Sequence, residues 1–548
     1  MSINRLLELF TDNVVFLLLV LPLIGAGLVV SCSRYGEHAV RRTALMNVLL
    51  STLLGLLMVS QYDPLAAAVH QDFVQMESHL RWLGGGSDTH APIPDIRIAL
   101  GVDGVNLWFV FETVLLTLTA VLCRWGREGR NPAAYYALLL VGESALVGLF
   151  ASQDIVLFCV CLELAAIPLF FLSGLWGGAH RRTAACRFFL WNLAGSLMIL
   201  AGLAGVVVAS GMLTAVGGSS RPLVTFSIPQ LSDLIEGVPL WGPEALHYWR
   251  EVSPWLFLSV LVGFAIKVPL FPFHWWLTRS HREADDGRGL LVCCLGTAIG
   301  CFGIARLVLP FFPDICRGAL PVLSVVVISG VLLLSLLALT RRPGRDVVSY
   351  CMVAAAGLGL VGVCSLDPKG LMGGLLILLS VGASGGVLIT QLPRSDAGSD
   401  LSGLPTDRWR RTIAVVGLGG LAFVPGLSGF GGLTLLVVGL FGSTPGTPIG
   451  PATAVAALIA ASLLSIALFR AMRGAVDRVD DETPSEVETP EIAPLPLMLL
   501  VVMLGVLPQV FVDRMMPSAF ETLRPYRVPV DENAESRAPK FGSEGGNP

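Results

Sequence analysis

Runs of about twenty apolar residues recur along this chain, bounded by charges, Gly or Pro, and each is long enough for a helix to cross the hydrocarbon core of a membrane. About fourteen occur, near residues 14–31, 43–61, 101–122, 134–151, 154–175, 186–211, 255–276, 288–311, 319–340, 346–366, 370–391, 411–442, 450–471 and 493–512. Backbone polar groups in lipid must be satisfied within the segment. The runs are too long and too uniformly apolar for barrel strands, so helices are the expected form. Composition agrees: of 548 residues, 54% are hydrophobic and 14% charged, where soluble domains carry about a quarter charged. An ordinary soluble enzyme is excluded, and a net charge of -4 offers no basic face for nucleic acid.

The connections carry a sign pattern. Arginine clusters (SRYGEHAVRR, RWGREGR, AHRRTAACR, TRSHREADDGR, TRRPGRD, TDRWRR and RAMRGAVDR) fill the odd-numbered connections, and acidic or neutral loops fill the even ones. Cytoplasmic loops collect Arg and Lys, so the alternation predicts fourteen spans with both termini outside. The segment after Asp513, rich in Pro, Glu, Arg and Gly, reads as a tail that is partly disordered or bound at an interface. The eleven cysteines form no C-x-x-C and mostly lie inside apolar runs, as small hydrophobes do. No Walker loop, dinucleotide fingerprint or H-E-x-x-H is present, so neither a cofactor site nor a metal site is expected in this chain.

Charges at bilayer depth cost about 2.5–3.5 kcal/mol each on insertion scales, and four stand out: Glu112, Glu143, Glu163 and Lys267. Asp103 and Asp154 fall near span ends, where solvation at the interface is as good a reading as function. Arg306 and Asp346 read as snorkelling or boundary charges. His274 is either a packing histidine or a proton carrier. Lys267 is the sharpest signal. The 36 basic residues include three lysines, Lys267, Lys369 and Lys540, and one of them sits about twelve residues into a span beside Phe264, Ala265, Ile266 and Val268. An Arg there would stay charged, whereas a desolvated Lys can release its proton; the alternative is a structural ion pair pinning two helices. Pro269 and Pro272 then break the helix, and VPGLSGFGG (Val424 to Gly432) breaks a second one about five spans later. Paired broken helices point to a repeated transporter fold, and the odd offset makes its halves inverted. Gly-rich GGLLILLSVGASGG reads as close helix packing.

The stretch Glu163-Leu164-Ala165-Ala166-Ile167-Pro168, with LSGLWGG and RRTAACRFFLWNLAGSLMIL after it, resembles the fifth span of the M subunit of proton-pumping NADH:quinone oxidoreductase, respiratory complex I. AIKVPLFPFHWWL with SHREA is similar to that family's K-V-P-L-F-P-F-H-x-W-L and H-x-E-A, and GVDGVNLWF to its G-V-D-G-I-S. The lysine-proline core is shared with the L and N subunits and with Mrp-type cation/proton antiporters; G-V-D-G and E-L-x-x-I-P favour M.

The resemblance implies an all-α membrane protein of about fourteen helices in two inverted five-helix repeats with broken helices. Residues 1–133 would form an N-terminal three-helix region, 134–311 and 319–471 the two antiporter-like repeats, and 472–548 the last membrane helix and tail. It implies that Glu163 and Lys267 form the ion pair that moves protons, with Glu143 as a second carboxylate and His274 as a further candidate. NADH, FMN, iron-sulfur clusters and quinone would be bound elsewhere in the complex, and the partners would be other membrane subunits, lipid and protons. The family's later relay positions fall on Ala298, Ala354, Ala355, Val381 and Leu433, all apolar here, while Glu112 has no family counterpart. A pump subunit and a non-conducting scaffold of the same complex are therefore both open, with an Mrp antiporter or membrane-hydrogenase subunit as alternatives.

Overall fold

The computed structural model describes residues 13–69, 73–83, 96–125, 131–178, 180–216, 224–238, 242–268, 276, 295–341, 345–392, 408–442, 449–476 and 492–526. The N-terminal part holds α1 (Val14–Ser31), α2 (Glu37–Gln61), the short α3 (Pro64–Val69), an antiparallel pair β1 (Gln75–Leu83) and β2 (Ile96–Val102), and α4 (Leu107–Cys123). Next come α5 (Pro132–Ala151), α6 (Ile155–Trp176), α7 (Arg181–Val216), the short α8 (Ile228–Glu236) and α9 (Pro243–Lys267). Helix α10 (Leu295–Gly303) continues through a π-helical turn, Ile304–Val308, to Phe311. The remainder is α11 (Pro313–Thr340), α12 (Arg345–Val363), α13 (Pro368–Gln391), α14 (Arg408–Leu421), α15 (Ser428–Gly442), α16 (Ile449–Val476), α17 (Leu495–Val506) and α18 (Pro508–Thr522).

Among the described residues ten helices are long and apolar enough to cross a membrane, or eleven if α17 and α18 form one span bent by 78°. That is fewer than the fourteen expected. The runs near 101–122, 288–311 and 411–442 hold shorter apolar helices, α4, α10 and α15. Helix α4 starts late because Asp103 closes a turn before it, its Oδ1 accepting from the Val105 and Asn106 N–H groups at 2.8 and 2.9 Å. The 411–442 run is split at Val424-Pro425-Gly426, where Phe423 (φ 56°) and Gly426 (φ 85°) take left-handed conformations. Pro508, without an N–H, forces the bend between α17 and α18. The acidic connection 62–100 is more structured than a loop: the two strands add a small sheet to the helical fold. The segment after Asp513 also departs from expectation up to Tyr526, whose hydroxyl donates to Leu309 O at 2.7 Å.

The centre lies around α13, whose apolar window is 100% buried, with α12 at 89% and α5 at 83%, against 39% for α1, α2 and α9. Small residues permit this. A β-carbon on Gly362 of α12 would lie 2.5 Å from Gly370 O, and one on Gly432 of α15 would lie 3.0 Å from Gly373 O. Without a hydrophobic drive between helices in lipid, such backbone contact is the main source of packing energy. The glycine-rich run of α13 is thus a packing device.

Candidate proton-relay site

Lys267 is the last residue of α9, and the chain leaves the helix at Val268, whose N–H bonds Phe264 O at 2.9 Å. The helix begins at Pro243, earlier than the run expected from 255, so Lys267 is at its end and not in its middle. This end is the negative pole of the helix dipole, which favours a cation. The lysine is buried, 4% exposed. Helix α9 is held close to α7 by Gly195 and Gly263, where a β-carbon on Gly195 would lie 2.9 Å from Gly263 O, and by Ser259 donating to Met198 O at 2.8 Å.

Helix α6 faces this end. The Phe158 and Phe264 rings meet edge to face with centroids 6.3 Å apart. Glu163, half-buried, is the α6 carboxylate within electrostatic range of Lys267, and Cys159 stands one turn earlier on the same helix. No direct ion pair joins Glu163 to Lys267 among the described residues, so the two charges act on each other across a gap. Pro168 within α6 leaves the carbonyl four residues before it, Leu164 O, without its helical donor, beside Glu163.

Glu143 lies on α5, fully buried, and both its carboxylate oxygens lack a hydrogen-bond partner among the described residues. Ser51 of α2 is the polar side chain beside it. Glu143 and Glu163 are each ten residues from Gln153, which lies in the turn between α5 and α6. In an antiparallel hairpin this puts them at the same depth, about 12 Å below the turn. His274 falls outside the described residues.

The turn is anchored by a network that sequence reasoning missed. Arg306, in the π-helical turn of α10, pairs with Asp103 and donates to Gln153 Oε1 at 2.6 Å. Arg306 is thus held by a partner, and Asp103, 3% exposed at its side chain, is paired with it. The signal available in sequence was that G-V-D-G and the Arg stand at the same end of opposite spans. Asp154 caps α6, accepting from Val156 N at 2.8 Å and Leu157 N at 3.3 Å. Burial raises its carboxyl from the usual 3.8 to about 6, against the lowering effect of those N–H groups. Above the network a cavity of about 330 Å³ is lined by Asp103, Arg306, Asp233, Ser518, Glu521 and Arg524.

In the second half, Ala298, Ala354, Ala355 and Val381 are buried in helix contacts, with Leu433 packed against the same core. Three hydroxyls do converge there: Ser428 at the start of α15 lies 2.7 Å from Ser380 and 3.1 Å from Ser384 of α13. Glu112 of α4 is fully buried against Gly382 of α13. No group of three metal-ligating side chains occurs among the described residues.

Residues 152–443 match the family described as NADH:quinone oxidoreductase/Mrp antiporter, TM. The chain is 26% identical over 554 residues to NADH-quinone oxidoreductase subunit M of Rhodobacter capsulatus, covering 96% of this chain and 99% of that protein. It is 29% identical over 354 residues to F(420)H(2) dehydrogenase subunit M of Methanosarcina mazei, covering 62% of this chain and 67% of that protein. Among solved structures, a chain of respiratory complex I from Thermus thermophilus with bound NADH is similar with TM-score 0.72 and 24% identity, over 94% of this chain and 100% of that one. A chain of the Mrp complex from Dietzia sp. DQ12-45-1b is similar with TM-score 0.69 and 19% identity, over 94% of this chain and 98% of that one. Those two likenesses speak for the fold; the family match spans more than half of the sequence, and on it the chain belongs to the NADH:quinone oxidoreductase/Mrp antiporter transmembrane family.

Proposed function

We propose that this chain is the subunit M-like membrane component of a complex I-type NADH:quinone oxidoreductase, coupling electron transfer in other subunits to proton translocation here. The observation that carries the reading is the burial of Lys267 at the broken end of α9, within electrostatic range of Glu163 on α6. A carboxylate brought toward the lysine stabilises its ammonium, and one drawn away favours release of the proton. The gap between them leaves room for such movement. Glu143, level with Glu163, is the next carboxyl in line, and His274 the next candidate after Lys267. Flavin, iron-sulfur clusters, NADH and quinone belong to partner subunits. In this proposal the chain lies in a bacterial-type plasma membrane with both termini outside, as two inverted repeats, 134–311 and 319–471, between residues 1–133 and 472–548.

A scaffold that no longer conducts is the second reading, favoured by the apolar packing of Ala298, Ala355, Val381 and Leu433. Replacing Lys267 by Met in the assembled complex separates the two. In proteoliposomes the pump reading expects electron transfer without proton uptake through this chain, and an unchanged ratio of protons to electrons leaves the scaffold. Sodium-dependent proton exchange in vesicles without redox substrate would instead identify an Mrp-type antiporter.

A further inference from the structure

Glu112 is used by neither reading so far. It lies in the middle of α4, a helix buried along almost its whole length, and is itself 0% exposed. Neither carboxylate oxygen has a hydrogen-bond partner among the described residues. Its carboxyl group occupies the space where a β-carbon on Gly382 of α13 would stand, so any side chain at 382 would force the carboxyl out of this notch. An acid here is costly, and nothing in its surroundings makes it useful to packing: a Leu would fill the notch without the penalty.

The groups around it are few. Helix α4 packs against α2, α5, α13 and α17, and its ring Phe109 meets Phe302 of α10 with centroids 6.0 Å apart. From these elements α5 contributes Glu143 and the tyrosines Tyr135 and Tyr136. Helix α2 contributes Glu37, His38, Arg41 and Arg42 at its start, and α13 contributes Lys369 at its start. Helix α17 contributes no titratable group, and α10 contributes Cys301 and Arg306, the latter committed to Asp103. No countercharge therefore sits at the depth of Glu112 on the elements that face it. The antiparallel register set by Asp103 with Arg306 and Phe109 with Phe302 carries Glu112 to the level of Thr297, Ala298 and Ile299 on α10. Thr297 has the other buried oxygen there that lacks a partner among the described residues.

We propose that Glu112 is a proton-binding site inside the membrane, a carboxyl that takes up and passes on a proton at the contact between the N-terminal helices and the second half of the chain. An isolated carboxyl in an apolar surround is stable as the neutral acid, so it can hold a proton where a fixed charge could not stand. One carboxylate oxygen takes a proton from a hydronium ion, whose O–H bond breaks to leave water, and the acid's O–H bond breaks in turn when a water molecule accepts the proton as hydronium; no electron is transferred. The site lies between two positions, Ala298 and Val381, whose own side chains can carry nothing. On the other side of α13, two residues either way from Gly382, the hydroxyls of Ser380 and Ser384 reach Ser428.

The inference rests on the translocation reading, so the experiment keeps the two apart. Glu112→Gln, Glu112→Asp and Lys267→Met are made in the assembled complex and compared in proteoliposomes for protons moved per electron. Redox-difference infrared spectra of the same complexes follow the carbonyl stretch of protonated carboxyls. The expected result is a lower ratio in Glu112→Gln with electron transfer retained, a ratio kept in Glu112→Asp, and a carbonyl band that changes on turnover in the wild type and is missing from Glu112→Gln. If the Gln variant does not assemble, a shift of that band in Glu112→Asp identifies it. Loss of pumping in Lys267→Met, together with an unchanged ratio in Glu112→Gln and no turnover-linked band from Glu112, overturns the inference and spares the pump. An unchanged ratio in all three variants overturns both.

Discussion

Gln153 stands midway in sequence between Glu143 and Glu163, and its side chain is bonded to Arg306, which is paired with Asp103. At the scale of single residues, fixing the depth of the two carboxylates is the task of this turn. Breaking a buried pair by removing one partner leaves a charge uncompensated. Asp103→Asn is expected to cost about 3 kcal/mol, the lower end for buried pairs because Arg306 is partly exposed; thermal unfolding of the purified complex measures it. Asp154 gives a pH dependence. Its carboxyl is raised to about 6 in the folded chain from 3.8, so its contribution to stability is fully present below about pH 4 and lost as pH rises through 6. Asp154→Asn, which keeps a capping side chain, should therefore stabilise the protein relative to wild type above pH 6 and lose that advantage below pH 4. Unfolding curves across this range would show a flat difference if the charge at Asp154 were immaterial. Much at this scale was legible in the sequence: one of three lysines in an arginine-using chain marked Lys267, and three carboxylates stood out against apolar neighbours. The partners were not, because ion pairs such as Asp103 with Arg306 join residues 203 apart.

At the scale of elements, breaks and glycine contacts do the positioning. The end of α9 at Lys267 and the interruption between α14 and α15 both fall where Pro removes a donor, and these were readable from KVPLFPF and VPGLSGF. The bend at Pro508 and the two strands were not read, since one proline in an apolar run does not say which way the chain turns. Helix α13 tests the packing account. Its Gly374 lies against Gly359 and Gly362 of α12, with a β-carbon at 374 only 3.0 Å from Gly362 Cα. Gly374→Val should separate α12 from α13 and destabilise by at least the roughly 1–3 kcal/mol of overpacking. Lower thermal stability of the purified complex checks this; an unaltered transition would mean that the two helices do not need backbone contact.

Across the whole molecule, the order of burial decides what each apolar run is for. Runs of similar hydropathy became the enclosed α12 and the half-exposed α2, because in a membrane protein both lipid and core are apolar and composition does not tell them apart. For the same reason fourteen runs do not correspond to fourteen full-length spans among the described residues: α4 begins only after the turn at Asp103, and α15 only after the break at Val424-Pro425-Gly426. By itself the sequence determined that the chain is a helical membrane protein, where two of its helices break, which family it resembles, and which four charges stand inside long apolar runs. Each follows from local chemistry, since lipid forbids unpaired backbone and penalises charge wherever it stands. Only the tertiary structure decided which charges meet: that Arg306 clamps the turn above Glu143 and Glu163, that Lys267 faces α6 from a helix end, and that Glu112 rests in the notch at Gly382. Those relations depend on how helices distant in sequence cross one another, and crossings are set by the fit of small and large side chains over many residues, which no single stretch of sequence contains.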